Sequence, residues 1–71
     1  MVNERIARRL EEVAALLEEQ RANPFRVQAY RRAAATLRRS KRQVTEILIR
    51  EGIPGLRALP GIGESLARSI A

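Results

Sequence analysis

Gly61 and Gly63, separated by one apolar residue and preceded by Leu59 and Pro60, are the positions in this chain best suited to binding chemistry. Glycine admits backbone conformations with positive φ and places no side chain between the peptide and a ligand. The amides of Gly61 and Gly63, with those of Glu64 and Ser65 at the start of a following helix, can point together toward one phosphate oxygen. The dipole of that helix favours negative charge at the same spot. Ile62 is expected to turn inward as an anchor, and the small Ala67 lets two helices approach closely. Such a grip holds backbone phosphate and not base edges, so it carries little sequence preference. A bare Gly-x-Gly is also an ordinary tight turn between packed helices. Here Leu-Pro before it, and Leu66 and Ala67 after it, favour the phosphate-gripping hairpin.

Other chemistries are excluded by composition. The 71 residues contain neither cysteine nor histidine, which removes disulfides, thiolate zinc sites, cysteine nucleophiles and imidazole acid–base catalysis. Lys41 is the only lysine. No apolar run approaches the roughly 20 residues that span a bilayer. Glu4, Glu11 and Glu12 among the N-terminal arginines do not fit a signal peptide. A soluble, cytoplasmic protein associated with the nucleoid is the expectation.

Charge placement agrees with an anionic partner. The chain carries a net +6. Arg21, Arg26, Arg31, Arg32, Arg38, Arg39, Lys41 and Arg42 fall in one stretch that contains no acid. Like charges repel until an anion neutralises them, and a polyanion does so most fully. The alternative is a solvated basic helix face.

These residues need helices to position them. Asn3 is expected to cap a first helix, with Glu4 at the positive end of its dipole. Ile6, Leu10, Val13 and Leu17 then form one apolar stripe that fades near Gln20. Asn23 is a second cap and Pro24 a first helical residue. Val27, Tyr30, Ala34 and Leu37 make the inner face of the second helix. Ser40 and Gln43 have capping-box spacing, which predicts a third helix after Ser40 with Val44, Ile47 and Leu48 inward and Gly52 as its stop. A helical turn from Pro54 to Ala58 leads into the hairpin. A last helix from about Glu64 buries Leu66, Ala67 and Ile70. No apolar alternation suggests a strand. The expectation is one all-α domain over 1–71, a four- to five-helix bundle whose hairpin motif covers about 54–71 and whose last helix is short. Its core holds Ile6, Leu10, Val13, Leu17, Val27, Leu37, Val44, Leu48, Leu59, Ile62 and Leu66.

The run Asn23-Pro24-Phe25-Arg26-Val27-Gln28-Ala29-Tyr30-Arg31-Arg32-Ala33-Ala34, followed some twenty-five residues later by Leu59-Pro60-Gly61-Ile62-Gly63, resembles the N-terminal domain of family X DNA polymerases. The bacterial and archaeal members with a phosphoesterase domain are the most similar. The resemblance covers nearly the whole chain. It implies a helix-hairpin-helix at the end of the bundle, and a role in DNA repair at the 5′-phosphate side of a gap or nick. It places Arg26, Tyr30 and Ser65 in the 5′-phosphate pocket; Arg31 and Arg32, from the basic stretch, are further candidates for phosphate binding. It also implies that the carbonyls of Arg57, Leu59 and Ile62 can bind potassium or sodium. In the beta-type relatives a lysine forms a Schiff base with deoxyribose phosphate, and Ser69 stands at that position here. Arginine cannot replace that amine. The chain is therefore expected to be no enzyme, and to act either as a module beside a polymerase or alone. A helical protein-interaction or self-association module is the alternative, and phosphate contacts do not by themselves separate DNA from RNA.

Overall fold

The computed structural model of the protein describes residues 2–71, which form four helices and no strand. α1 spans Val2–Glu19, α2 Pro24–Arg39, α3 Val44–Arg57 and α4 Glu64–Ile70. The all-α class expected from the apolar spacing is the class observed. No helix among the described residues is long and apolar enough to cross a membrane.

α1 and α2 run antiparallel through a seam of small side chains. Ala7, Ala14, Ala33 and Ala34 are completely buried, which brings the two backbones close. Leu10, Val27, Leu37, Val44, Ile47 and Ile62 are buried as expected, and Leu56 joins them. Ile6, Leu48, Leu59 and Leu66 pack on the core from its edge. Val13 and Leu17, expected inside, are only half-buried because the alanines occupy the centre of the seam.

The turn between α1 and α2 follows the expected punctuation, with one addition. The Ala22 amide donates to the Leu17 carbonyl at 2.9 Å and the Arg21 amide to that of Glu18 at 3.0 Å. That pairing is a Schellman cap, and Arg21 takes its left-handed position with φ of 58°. The Asn23 side chain then accepts from the Phe25 amide at 2.8 Å, with Pro24 in the first turn of α2.

Two expected caps are corrected. Asn3 does not cap α1. It lies inside α1, 5% exposed, and its side chain reaches the junction between α2 and α3. Its Nδ2 donates to the carbonyls of Leu37 at 3.2 Å and Arg42 at 2.8 Å, and its Oδ1 accepts from the Val44 amide at 2.8 Å. Nor does Ser40 open α3. It closes α2, its amide bonded to the carbonyls of Thr36 and Leu37, while its hydroxyl bridges to Arg42. With Ser40 so engaged, α3 begins four residues later, and its first amide is capped by Asn3 from across the molecule.

Gly52 interrupts α3 as anticipated. Its φ of 67° bends the helix, and Pro54 restarts it in a new direction toward the hairpin.

Because Asn3 satisfies three backbone groups, two of them buried and one partly so, Asn3→Ala should destabilise the domain by about 2–4 kcal/mol in urea denaturation. Asn3→Asp keeps the acceptor for Val44 but sets a carboxylate against two carbonyls, so it should also destabilise. A loss below about 0.5 kcal/mol in both would refute this role for Asn3.

Candidate nucleic-acid interface

The hairpin is built from a tight turn clamped at both sides. The Leu59 amide donates to Leu56 at 3.1 Å and the Ile62 amide to Leu59 at 3.2 Å. Ile62 is 4% exposed and anchors the loop, and Ala67 is fully buried where α4 meets the core, both as expected. A further clamp was not legible in advance. The buried Thr36 of α2 donates its hydroxyl to the Pro60 carbonyl at 2.9 Å and fixes the height of the loop above α2.

The two glycines serve different ends. Gly61 has φ of 78°, a conformation that side chains resist. Gly63 has φ of −86° and ψ of −177°, extended backbone open to any residue, so the expected positive φ holds for Gly61 alone. A Cβ added at Gly63 would meet nothing within 4 Å. Nothing inside the fold requires glycine there, and the surface beside it is clear. Among the described residues, no backbone carbonyl accepts from the amides of Gly61, Gly63, Glu64 or Ser65 outside the helices.

The structure brings together most of the residues singled out in the sequence. Arg26 and Tyr30 from α2 share an open depression of about 430 Å³ with Gly61, Gly63, Glu64 and Ser65. Arg32 borders a neighbouring one with Pro60 and Gly61, and Arg39, named in the sequence only within the basic stretch, joins it there. Arg31 goes elsewhere. It faces α1 and pairs with Glu18 at 3.1 Å. Ser69 is also apart, beside Arg5, Ile6, Arg9 and Ile70. The Glu64 carboxylate is drawn to Arg57 at 3.3 Å and Arg68 at 3.7 Å.

The basic stretch is thus divided in space. Arg31 and Arg38, seven residues apart, lie on one stripe of α2; Arg32 and Arg39 lie on the next. Arg38 binds Glu4 at 2.8 Å and Glu11 at 2.7 Å, so the α1 side is neutralised. Arg42 pairs with Glu51. Among the described residues no carboxylate pairs with Arg26, Arg32 or Arg39, which leaves the hairpin side positive. Hydrogen bonding to Arg38 holds the carboxyls of Glu4 and Glu11 below the usual range, and Arg31 does the same for Glu18. The matching signal in the sequence is the seven-residue spacing of Glu4, Glu11 and Glu18 against that of Arg31 and Arg38.

Of the three carbonyls that the resemblance assigns to a cation, Arg57 supplies one from the end of α3, and Leu59 and Ile62 supply theirs from the hairpin turn. That of Leu59 already accepts the Ile62 amide and keeps one lone pair, so it can still contribute to an oxygen cage for a monovalent cation. No group of three or more His, Cys, Asp or Glu side chains suited to a metal occurs among the described residues.

A family model described as a helix-hairpin-helix domain matches residues 1–71, the whole chain. The protein belongs to the helix-hairpin-helix domain family. Domains of this kind generally bind DNA without sequence specificity. Searches of the curated proteins and of the solved structures found no match.

The depressed carboxyl values have a pH consequence. Stability contributed by the Glu4–Arg38–Glu11 cluster is fully present above the unfolded glutamate value of about 4.3, and is lost as pH falls through the lower folded values. Thermal melting of the parent should therefore drop between pH 5 and 3 by more than that of Arg38→Gln. Equal acid sensitivity of the two would show that the cluster contributes nothing.

Proposed function

We propose that this domain binds DNA through the phosphate backbone, without sequence preference, at the 5′-phosphate side of a gap or nick. One observation carries the reading. Residues from two segments more than thirty positions apart, Arg26 and Tyr30 on α2 and Gly61, Gly63 and Ser65 at the hairpin, line one open depression on the positive side of the molecule.

Each group has a distinct part in the proposal. The Arg26 guanidinium offers a fork of donors to a terminal phosphate, and the Tyr30 and Ser65 hydroxyls offer single donors. The glycine amides meet the sugar–phosphate chain where a side chain would block it. Arg32 and Arg39 continue the positive surface beyond Pro60, while the engaged Arg31 contributes mainly to the fold. A potassium or sodium ion on the carbonyls of Arg57, Leu59 and Ile62 would bridge the loop to a phosphate oxygen. The similarity to family X polymerases supports a role as a substrate-positioning module in DNA repair.

The test separates fold from binding at a single position. Gly63→Val should melt within a few degrees of the parent, because its φ and ψ suit valine and its surroundings are empty. Its affinity for duplex DNA with a one-nucleotide, 5′-phosphorylated gap should fall at least tenfold. If about four phosphates are neutralised, the parent's log affinity should fall with log salt at a slope of roughly −3 to −4. A slope near zero would favour a protein-interaction module.

We further propose that the chain lacks deoxyribose-phosphate lyase activity, since Ser69 stands where a lysine would be needed. Borohydride reduction on DNA with an incised abasic site should trap no adduct above that of a Lys41→Arg variant with a blocked N-terminus. Efficient trapping by the parent would overturn this and point to Lys41.

A further inference from the structure

α1 is acidic by count, yet it presents a positive surface beside the end of α4. Glu4, Glu11 and Glu18 are turned toward α2 and engaged there by Arg38 and Arg31. On the other side Arg5 and Arg9, one helical turn apart, flank an open depression of about 250 Å³ whose remaining walls are Ile6, Ser69 and Ile70. No carboxylate lines it. Among the described residues Arg5 has no ion pair, and Arg9 has only a loose contact to Glu12 at 4.0 Å, with side chains 84% and 60% exposed. The Ser69 hydroxyl has no hydrogen-bond partner among the described side-chain bonds. Two guanidinium groups and a free hydroxyl around a small apolar floor form a cradle for a compact oxyanion.

Its position relates it to the first depression. Ser65 lines the depression with Arg26 and Tyr30, and Ser69 lines this one. Four helical residues separate them, a rise of about 6 Å along α4. That is close to the step between successive phosphates of one strand. We propose that Arg5, Arg9 and Ser69 form a second phosphate seat, which takes the backbone phosphate adjacent to the one held at Arg26, Tyr30 and Ser65. The strand would then run along the exposed face of α4 and cross onto α1. This rests on the DNA-binding function proposed above.

The test uses the whole chain and the same gapped, 5′-phosphorylated duplex. Arg5→Gln combined with Arg9→Gln removes both guanidinium groups from an exposed surface, and circular dichroism melting establishes that the variant is folded. Affinity should fall roughly tenfold, and the salt slope should shrink by about 1, for the one phosphate no longer neutralised. The charge-matched control, Arg8→Gln with Arg50→Gln, should change the slope by less than half as much. A methylphosphonate at the linkage next to the 5′-phosphate should weaken the parent but not the Arg5→Gln, Arg9→Gln variant. Equal losses in variant and control would show a diffuse charge effect and overturn the second seat. If the double variant binds like the parent while Gly63→Val fails, the second seat is wrong and the hairpin function stands. If neither change affects binding, both are wrong. Binding of an acidic peptide at the same cradle in preference to DNA would also overturn it.

Discussion

The side chain of Asn3 holds together elements that the rest of the molecule needs in register. α2 must stop and α3 must start within a few residues, which leaves carbonyls and amides with no partner in either helix. Those at Leu37 and Val44 are buried, and an unpaired buried polar group costs more than a hydrogen bond gains. One amide group on the first turn of α1 supplies two donors and one acceptor to that junction. α1, α2 and α3 are thereby locked to a common point. Thr36 performs the corresponding task for the hairpin, tying the Pro60 carbonyl to α2. These two are the buried polar residues of the core, and each fixes one loop.

With the loops fixed, the alanine seam determines how the charges are sorted. Close approach of α1 and α2 brings Glu4, Glu11 and Glu18 within reach of Arg38 and Arg31. Exposed ion pairs of this kind stabilise little individually. Their larger effect is on the field outside the molecule. They cancel the arginines that face α1 and leave Arg26, Arg32 and Arg39 unopposed beside the hairpin. α1 is left with Arg5 and Arg9 beside the end of α4.

Much of this was readable from the residues alone. The helices, the Asn23-Pro24 start of α2, the bend at Gly52 and the inward Ile62 follow from local rules that act over a few positions. Arg26, Tyr30 and Ser65 were placed by their similarity to a known domain, and the structure sets them around one depression. What escaped was non-local. Asn3 beside Glu4 looks like a cap because nothing near it in sequence reveals a partner thirty-four to forty-one residues away. Ser40 and Gln43 have the spacing of a capping box, but spacing does not show that Ser40 is already committed to ending α2. Gly63 looked like Gly61 because sequence shows the missing side chain and not the backbone angle that explains it. Arg31 and Arg32 are neighbours in the chain and face opposite partners, a separation that helical geometry implies once the position of α1 is known.

The sorted arginines have a consequence for the time course of encounter. A protein whose excess charge were spread evenly would meet a polyanion in any orientation and then have to search for its binding face. Here, among the described residues, three unpaired arginines gather beside the hairpin while Glu4, Glu11 and Glu18 are held against α1's partner helix, so the charge around the hairpin is uneven. On the proposed function, the field of a nucleic acid would exert a torque before contact and favour arrival with the hairpin turned toward the strand. Such pre-orientation raises the rate of productive collision, while the lifetime of the complex is set by the short-range contacts. The glutamates of α1, which touch no ligand in this arrangement, would therefore govern how quickly the domain finds its site.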